Sequence, residues 1–459
     1  MVNAEGNTGS ISTTDWKALT AAQKRQWRLN NYLDPPDVKF ISPEAKKDYR
    51  TRARRMVDVY NLQEPDRVPV ALQVGELPYT LNGVSVRTAW YDYVQALDAC
   101  RKFNEKYSAD LEYYASPYFI PGRVMDMLDY KLYYWPGHGL PLTADVHQYV
   151  EGEYMKVEEY DDFIRDPSDY FNRIYFPRIF GALEPLGTFQ PATDMIEIVS
   201  LAQFSKLGDT QMQETLLKLI EVGREYRRYL ETIGPHLTLQ FASGFPSSGF
   251  GRLFAKAPFD TLGDTLRGTA PLMKDIYRRP DKVLEACDKI ADLTIASILK
   301  SSGQTHDVTV MYPLHKGADG WMSQKQFETF YWPSFKKVMN AFIDEGYIQS
   351  LFAEGSYNTR LEYFNEFPKG SVTLRFDQTD MARAKKMVGN NCCIQGNVPS
   401  SLTVTGNYQE VKTYCHKLIE GCGKGGGYIL AVGCGAPNPK LENIKAMVDA
   451  AREFGVYKK

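Results

Sequence analysis

The sequence predicts an α/β fold: a (β/α)8 TIM barrel with an N-terminal helical extension and a large insertion after the second strand. Between Ile348 and Gly435 four short apolar runs alternate with four helix-like segments. A parallel sheet covered on both faces demands this pattern, because each crossover must bring the chain back to the same edge. Each run also ends in a small or polar cluster, and four further runs upstream bring the count to eight. That number favours a closed barrel over an open sheet, and 459 residues with 43% hydrophobic content can fill one such barrel with elaborations.

Taken in order, Met1–Thr14 is polar and expected to be disordered, and Asp15–Asp58 reads as charged helix broken at Pro35-Pro36. Residues 1–60 thus form an extension that packs outside the barrel or on a partner, and 61–459 form the barrel domain. Its first strand is Val68–Val74, followed by a helix over Val86–Tyr107 and a second strand at Asp110–Ala115. Residues 118–235 lose clear periodicity: Tyr130–Pro141 is rich in Tyr, Trp and Pro, Val157–Asp166 is acidic, and only Met212–Ile233 reads as an amphipathic helix. Such an excursion is an insertion over one barrel face, either a lid or a plain elaboration.

His236–Ala242 then reads as the third strand, Asp260–Tyr277 and Pro280–Ser301 as helices, and His306–Tyr312 as the fourth strand. The last four strands are Ile348–Ala353, Ser371–Phe376, Cys392–Gln395 and Tyr428–Val432, with helices near Thr359–Glu366, Met381–Met387, Asn407–Ile419 and Leu441–Phe454.

A net charge of −2 offers no basic face for nucleic acid or an anionic membrane. No apolar run reaches membrane-spanning length and the N-terminus lacks the order of a signal peptide, so a cytoplasmic location is expected. Seven scattered cysteines, an odd number, predict free thiols rather than a disulfide framework, with metal ligation by one or more left open.

In a (β/α) repeat the residues just past the strand ends converge on one face, which gathers Glu354, Asp377, Asn397 and Cys434 at one mouth. Asp380 is equally well an N-cap. His315, past the fourth strand, is a candidate metal ligand or proton donor, or else a structural histidine. His138, His147, His236, His306 and His416 read as structural, Cys392-Cys393 as packing, and the Gly423–Gly427 run as a turn.

These residues resemble the uroporphyrinogen decarboxylase superfamily, which includes corrinoid-dependent methyltransferases. The resembling pieces are Pro65-Asp66-Arg67-Val68-Pro69, Ala257-Pro258-Phe259-Asp260, Gly396-Asn397-Val398-Pro399, and above all Gly426-Gly427-Tyr428-Ile429-Leu430 with Gly433-Cys434-Gly435 and Glu442-Asn443-Ile444-Lys445-Ala446. The resemblance runs from about residue 60 to the C-terminus and is weakest over 118–235. The decarboxylases proper carry an arginine-rich loop after the first strand for their polycarboxylate substrate; here Gln73-Val74-Gly75-Glu76-Leu77-Pro78-Tyr79 has none, which argues against porphyrinogen decarboxylation.

The methyltransferase branch is closer, because Cys434 stands where that branch has a zinc thiolate. Its His-x-Cys pair is replaced by Phe352-Ala353-Glu354, and a phenylalanine binds no metal. Two options stay open: Glu354 and Cys434 hold zinc with Asp377 or His315, or Glu354 acts without metal as a general acid or base against an apolar wall of Phe352 and tyrosines. Catalytic work thus falls to Glu354, Asp377 and His315, substrate contacts to Glu76, Tyr79 and Asn397, and metal ligation to Cys434 and Glu354. The resemblance implies a methyltransferase working with cobalamin, free or on a partner corrinoid protein, and a small or medium organic substrate. A decarboxylase or lyase on another acid, and a non-catalytic subunit that docks a corrinoid protein, are the alternatives; a homo-oligomer is left open.

Overall fold

The computed structural model describes residues 13–117, 121–194, 197–246, 253–302, 307–435 and 438–458. The first twelve residues and His306 therefore lie outside the described part, and with them most of the stretch expected to be disordered, whose last two residues, Thr13 and Thr14, open a helix instead. Strands are β1 (Val70–Ala71), β2 (Tyr133–Pro136), β3 (Gly139–Leu140), β4 (Gln148–Tyr149), β5 (Leu253–Phe254), β6 (Thr309–Leu314), β7 (Ile348–Ala353), β8 (Val372–Phe376), β9 (Cys393–Gln395) and β10 (Tyr428–Ala431). Seven of them form one sheet in the order β1-β10-β9-β8-β7-β6-β5, with every pairing parallel. First and last strands are neighbours, as in a sheet that curls on itself.

Two of the expected strands are not strands. Asp110 and Leu111 finish the helix Tyr93–Leu111, and 112–117 follow without a ladder partner among the described residues. Side chains have taken the backbone groups that a ladder would need. Ala115 N–H donates to Asn104 Oδ1 at 2.7 Å, while its carbonyl accepts from Asn104 Nδ2 and lies against His236 Nε2, both at 2.9 Å. His236–Ala242 is instead the last part of a 33-residue helix, Thr210–Ala242, and the strand in that place is β5. His236, read as a structural residue at a strand start, lies on this helix and makes that contact.

The excursion ahead of β5 holds a small three-stranded sheet, β3-β2-β4, and the long helix. It docks at the C-terminal ends of the main strands: Tyr154 and Met155 N–H both reach Leu266 O, and Arg267 donates to Glu153 Oε1 at 2.6 Å.

The opposite end is closed by the N-terminal helices Ala21–Leu33 and Pro43–Tyr60. Leu29, Tyr32, Tyr49, Ala53, Val57, Val59 and Tyr60 pack in one buried cluster with Val308, Ile348, Cys393 and Ile429, residues at the starts of β6, β7, β9 and β10. Polar contacts fix the register: Glu345 accepts from Trp16 Nε1 and Lys24 Nζ, each at 2.7 Å, and Arg28 lies 3.5 Å over the Tyr347 ring. The extension is a floor to the main sheet. No helix among the described residues is long and apolar enough to cross a membrane, and all seven cysteines are free, six of them buried.

Candidate active site

The rim is organised by two aspartates that the segment after β5 sets one helical turn apart. Asp260 and Asp264, four residues apart, share a helix face. Asp260 is fully buried and accepts from His315 N–H at 3.0 Å, Lys316 N–H at 2.8 Å and the Tyr331 hydroxyl at 2.8 Å, which clamps the turn leaving β6. Asp264 Oδ2 takes His315 Nδ1 and Lys256 Nζ, each at 2.6 Å, and its other oxygen takes Lys316 Nζ. On the far side of the ring, His315 Nε2 lies 3.6 Å from Glu354 Oε1, just past β7.

His315 is thus strung between two carboxylates. Burial opposes a charge on the ring, but the bonds to Asp264 and Glu354 and the field of Asp260 outweigh it and raise its pKa to about 10. Asp264 shows the reverse balance: burial pushes its pKa up, while His315, Lys256 and Lys316 bring it well below the usual carboxylate range. At neutral pH the ring is an imidazolium with its Nε2–H turned toward Glu354.

Beside this chain stands a cation that the sequence reading passed over. Arg375, in β8, is 5% exposed. Its guanidinium lies 4.3 Å from the Phe352 ring centre and donates to Gln73 Oε1 at 2.5 Å and to Val432 O at 3.3 Å. Burial lowers its pKa to about 10 against the pull of Cys434, Glu354 and Asp377, so it stays charged at neutral pH. The half-buried Cys434 thiol is pushed up by burial and by the same two carboxylates, with Arg375 opposing. Glu354, Asp377, Cys434 and Arg375 therefore occupy one electrostatic neighbourhood.

Several expectations change against this geometry. The Glu354 side chain is 41% exposed and paired with His315, and Phe352 carries Arg375, so no apolar wall encloses the carboxyl. Among the described residues no three His, Cys, Asp or Glu side chains stand close enough together to hold a metal ion, and Cys434, Glu354 and Asp377 lie in the field of the Arg375 guanidinium.

Asn397 braces the loops, donating through Nδ2 to Asp377 O at 3.0 Å and Thr379 O at 2.9 Å. With Asp377, Ser400 and Cys434 it lines an open groove of about 750 Å³. Tyr79, expected at the substrate, is 3% exposed and set beside Cys100 in the core. Glu76 is 8% exposed, and its Oε2 has no hydrogen-bond partner among the described residues. Burial, and next the Asp145 charge, raise its pKa to about 7.

Asp380 accepts from Arg383 N–H at 3.0 Å, which is the N-cap role. His416 stacks on Phe454 and His138 on Trp135, each with ring centres 3.9 Å apart, and His147 packs beside Trp90 and Tyr133.

Asp260, Asp264, Lys316 and Arg375 were missed as site residues. The signals were present: two acids at helical spacing right after Ala257-Pro258, and one arginine inside an otherwise apolar strand.

Comparison with known proteins agrees with this architecture. Residues 252–454 match the sequence profile of the family described as uroporphyrinogen decarboxylase (URO-D). No curated protein matches the chain. Among solved structures, a methyltransferase from Methanosarcina mazei superposes with a TM-score of 0.52 at 16% identity, covering 88% of this chain and 98% of its own. That likeness is one of fold.

Proposed function

We propose, from the premise that residues 252–454 form a uroporphyrinogen decarboxylase family domain, that the protein is a methyltransferase. It passes a methyl group between a corrinoid, free or on a separate protein, and a heteroatom of a small or medium organic substrate. The methyltransferase with the same fold supports the reading, and the carrying observation is the Asp264–His315–Glu354 chain. In either direction the heteroatom exchanges a methyl group for a proton, so the mouth needs a group able to give or take one. His315 holds that proton on Nε2, Asp264 keeps the ring charged and oriented through Nδ1, and Glu354 relays to the substrate atom. Arg375 supplies a fixed positive charge, and Cys434 and Asp377 line the reacting side. The corrinoid is a co-substrate that meets the rim from outside. The sheet itself is read as a (β/α)8 barrel whose second position is filled by residues 112–117.

Mixing the protein with methylcobalamin and candidate acceptors, or with reduced cobalamin and methyl donors, tests this through the corrinoid absorbance. Wild type is expected to convert the spectrum with at least one substrate, and Glu354→Gln to slow it about 100-fold or more. A spectrum that never changes defeats the reading. Arg375 favours one second reading, a decarboxylase or lyase, since a buried guanidinium also suits a carboxylate. Release of CO2 from a carboxylic acid without corrinoid would select it.

A further inference from the structure

The missing second strand leaves a gap that side chains do not fill. Residues 112–117 have no ladder partner among the described residues, and a cavity of about 80 Å³ lies between them, the start of β1 and the floor helix Pro43–Tyr60. Val70, Met56, Tyr113, Tyr114 and Phe245 are among its walls. It shares no lining residue with the groove at Asp377 and Cys434.

Charge sets this cavity apart, because Arg52, Arg55 and Arg67 line it with a single acid, Glu112. Hydrogen bonds fix where they stand. Arg55 Nη1 donates to Glu112 Oε2 at 3.0 Å, Arg67 Nη2 donates to the same oxygen, and Arg52 Nη1 donates to Gly244 O at 2.6 Å. The Arg52 guanidinium lies 4.2 Å from the Phe245 ring centre. Arg55 is fully engaged, since its Nε and Nη2 grip Asp66 at 2.7 Å each.

The other two arginines keep donors in reserve. Arg67 Nε, and Arg52 Nε and Nη2, make no hydrogen bond among the described residues, although Asp48 lies 3.7 Å from Arg52 Nη2. None of these nitrogens is sealed off from solvent. On side chains only 10% and 16% exposed, what they open to is the cavity. Burial lowers the pKa of both groups and the charge of Arg55 pushes the same way, so an anion between them relieves the strain on their charge.

We propose that this cavity is a binding site for a small aliphatic carboxylate, separate from the mouth. A guanidinium offers paired N–H donors in the plane of a carboxylate, and the apolar and aromatic walls suit a short hydrocarbon tail. Size limits that tail: a dry protein cavity that takes benzene measures roughly 150 Å³, so an aromatic acid is too large here. Phosphate brings a second charge and no apolar part, and Glu112 stands in the lining against it. The bound acid joins Arg52, on the floor, to Arg67, just ahead of β1, and so braces the floor against the main sheet.

Thermal unfolding and ligand-observed NMR of the full chain, at constant ionic strength, test this without corrinoid or turnover. The probes are acetate and propionate, with acetamide and propionamide as uncharged isosteres and benzoate and phosphate as anions of the wrong size and shape. Acetate or propionate is expected to bind about tenfold or more tightly than its amide and to raise the melting temperature, which benzoate and phosphate do not. Arg52→Gln is expected to weaken the acid about tenfold. Met56→Phe, which keeps every charge and fills the space, is expected to abolish binding and serves if Arg52→Gln does not fold. Equal binding of the amide, tighter binding of benzoate or phosphate, or unchanged affinity in both variants would each overturn the proposal. So would a preference lost in Arg375→Gln and kept in Arg52→Gln, which would put the acid at the mouth.

Discussion

His315 shows how a single side chain takes its character from its neighbours. Its folded pKa of about 10 lies above the ordinary 6.5, so the charged ring contributes stability that is whole below about 6.5 and is lost as pH rises toward 10. The melting temperature of wild type should therefore fall between pH 7 and 10, and that slope should flatten in His315→Gln. Ring NMR should find His315 still protonated at pH 8, and Asp264→Asn should bring its titration back toward neutrality. The same substitution leaves Lys316 and Lys256 without their carboxylate and should cost about 3–5 kcal/mol in denaturant unfolding. Retention of the high pKa in Asp264→Asn would show that the partner is not the cause.

Sequence reasoning singled out Glu354 and His315, which stand 3.6 Å apart, because strand-end position is legible in a (β/α) repeat. It missed Asp264 and Arg375 because their roles depend on which strands become neighbours. Only pairing β7 with β8 sets Phe352 opposite Arg375, and only the turn after β6 carries His315 to Asp264.

At the scale of elements, the C-terminal strands followed from periodicity almost residue for residue, while the helices kept their places with looser bounds: Thr359–Glu366 is a short 3-10 turn, Leu361–Glu366, and Asn407–Ile419 runs on to Cys422. β7 and the helix Leu441–Phe454 have the expected bounds, and β8, β9 and β10 differ by a residue at one end. The failures lie where side chains replace ladder bonds. Asn104 and His236 satisfy Ala115, and nothing in a single apolar run announces that. His236–Ala242 alternates like a strand but continues a helix whose remaining turns supply its partners.

The loops these elements carry meet closely at the rim. A Cβ on Gly433 would lie 3.1 Å from Asp377 Cα, O and Oδ1 alike. Gly433→Ala should push Asp377 off its bond with Gly355 N–H and cut turnover about tenfold or more with little change in melting temperature. Asn397→Ala, which frees two part-buried carbonyls, should instead cost about 1–3 kcal/mol of stability. Equal behaviour of the two variants would argue against separate roles for side-chain placement and loop bracing.

For the whole molecule, the floor built by the N-terminal helices is part of the core. Leu29 is 1% exposed and shares its cluster with the fully buried Cys393. Leu29→Ala should cost about 2–5 kcal/mol and make Cys393 react faster with an aromatic disulfide reagent under native conditions, because the floor opens locally. Unchanged thiol reactivity together with a large loss of stability would mean that the floor and the main sheet unfold only as one.

The floor also sets where the described residues begin and finish. The helices beginning at residue 13 lie under the strand starts, and Val456 bridges to Arg67, just ahead of β1. Tethering the molecule to a bead, a surface or a fused reporter on the floor side should thus leave the opposite rim, with His315 and Glu354, facing solution.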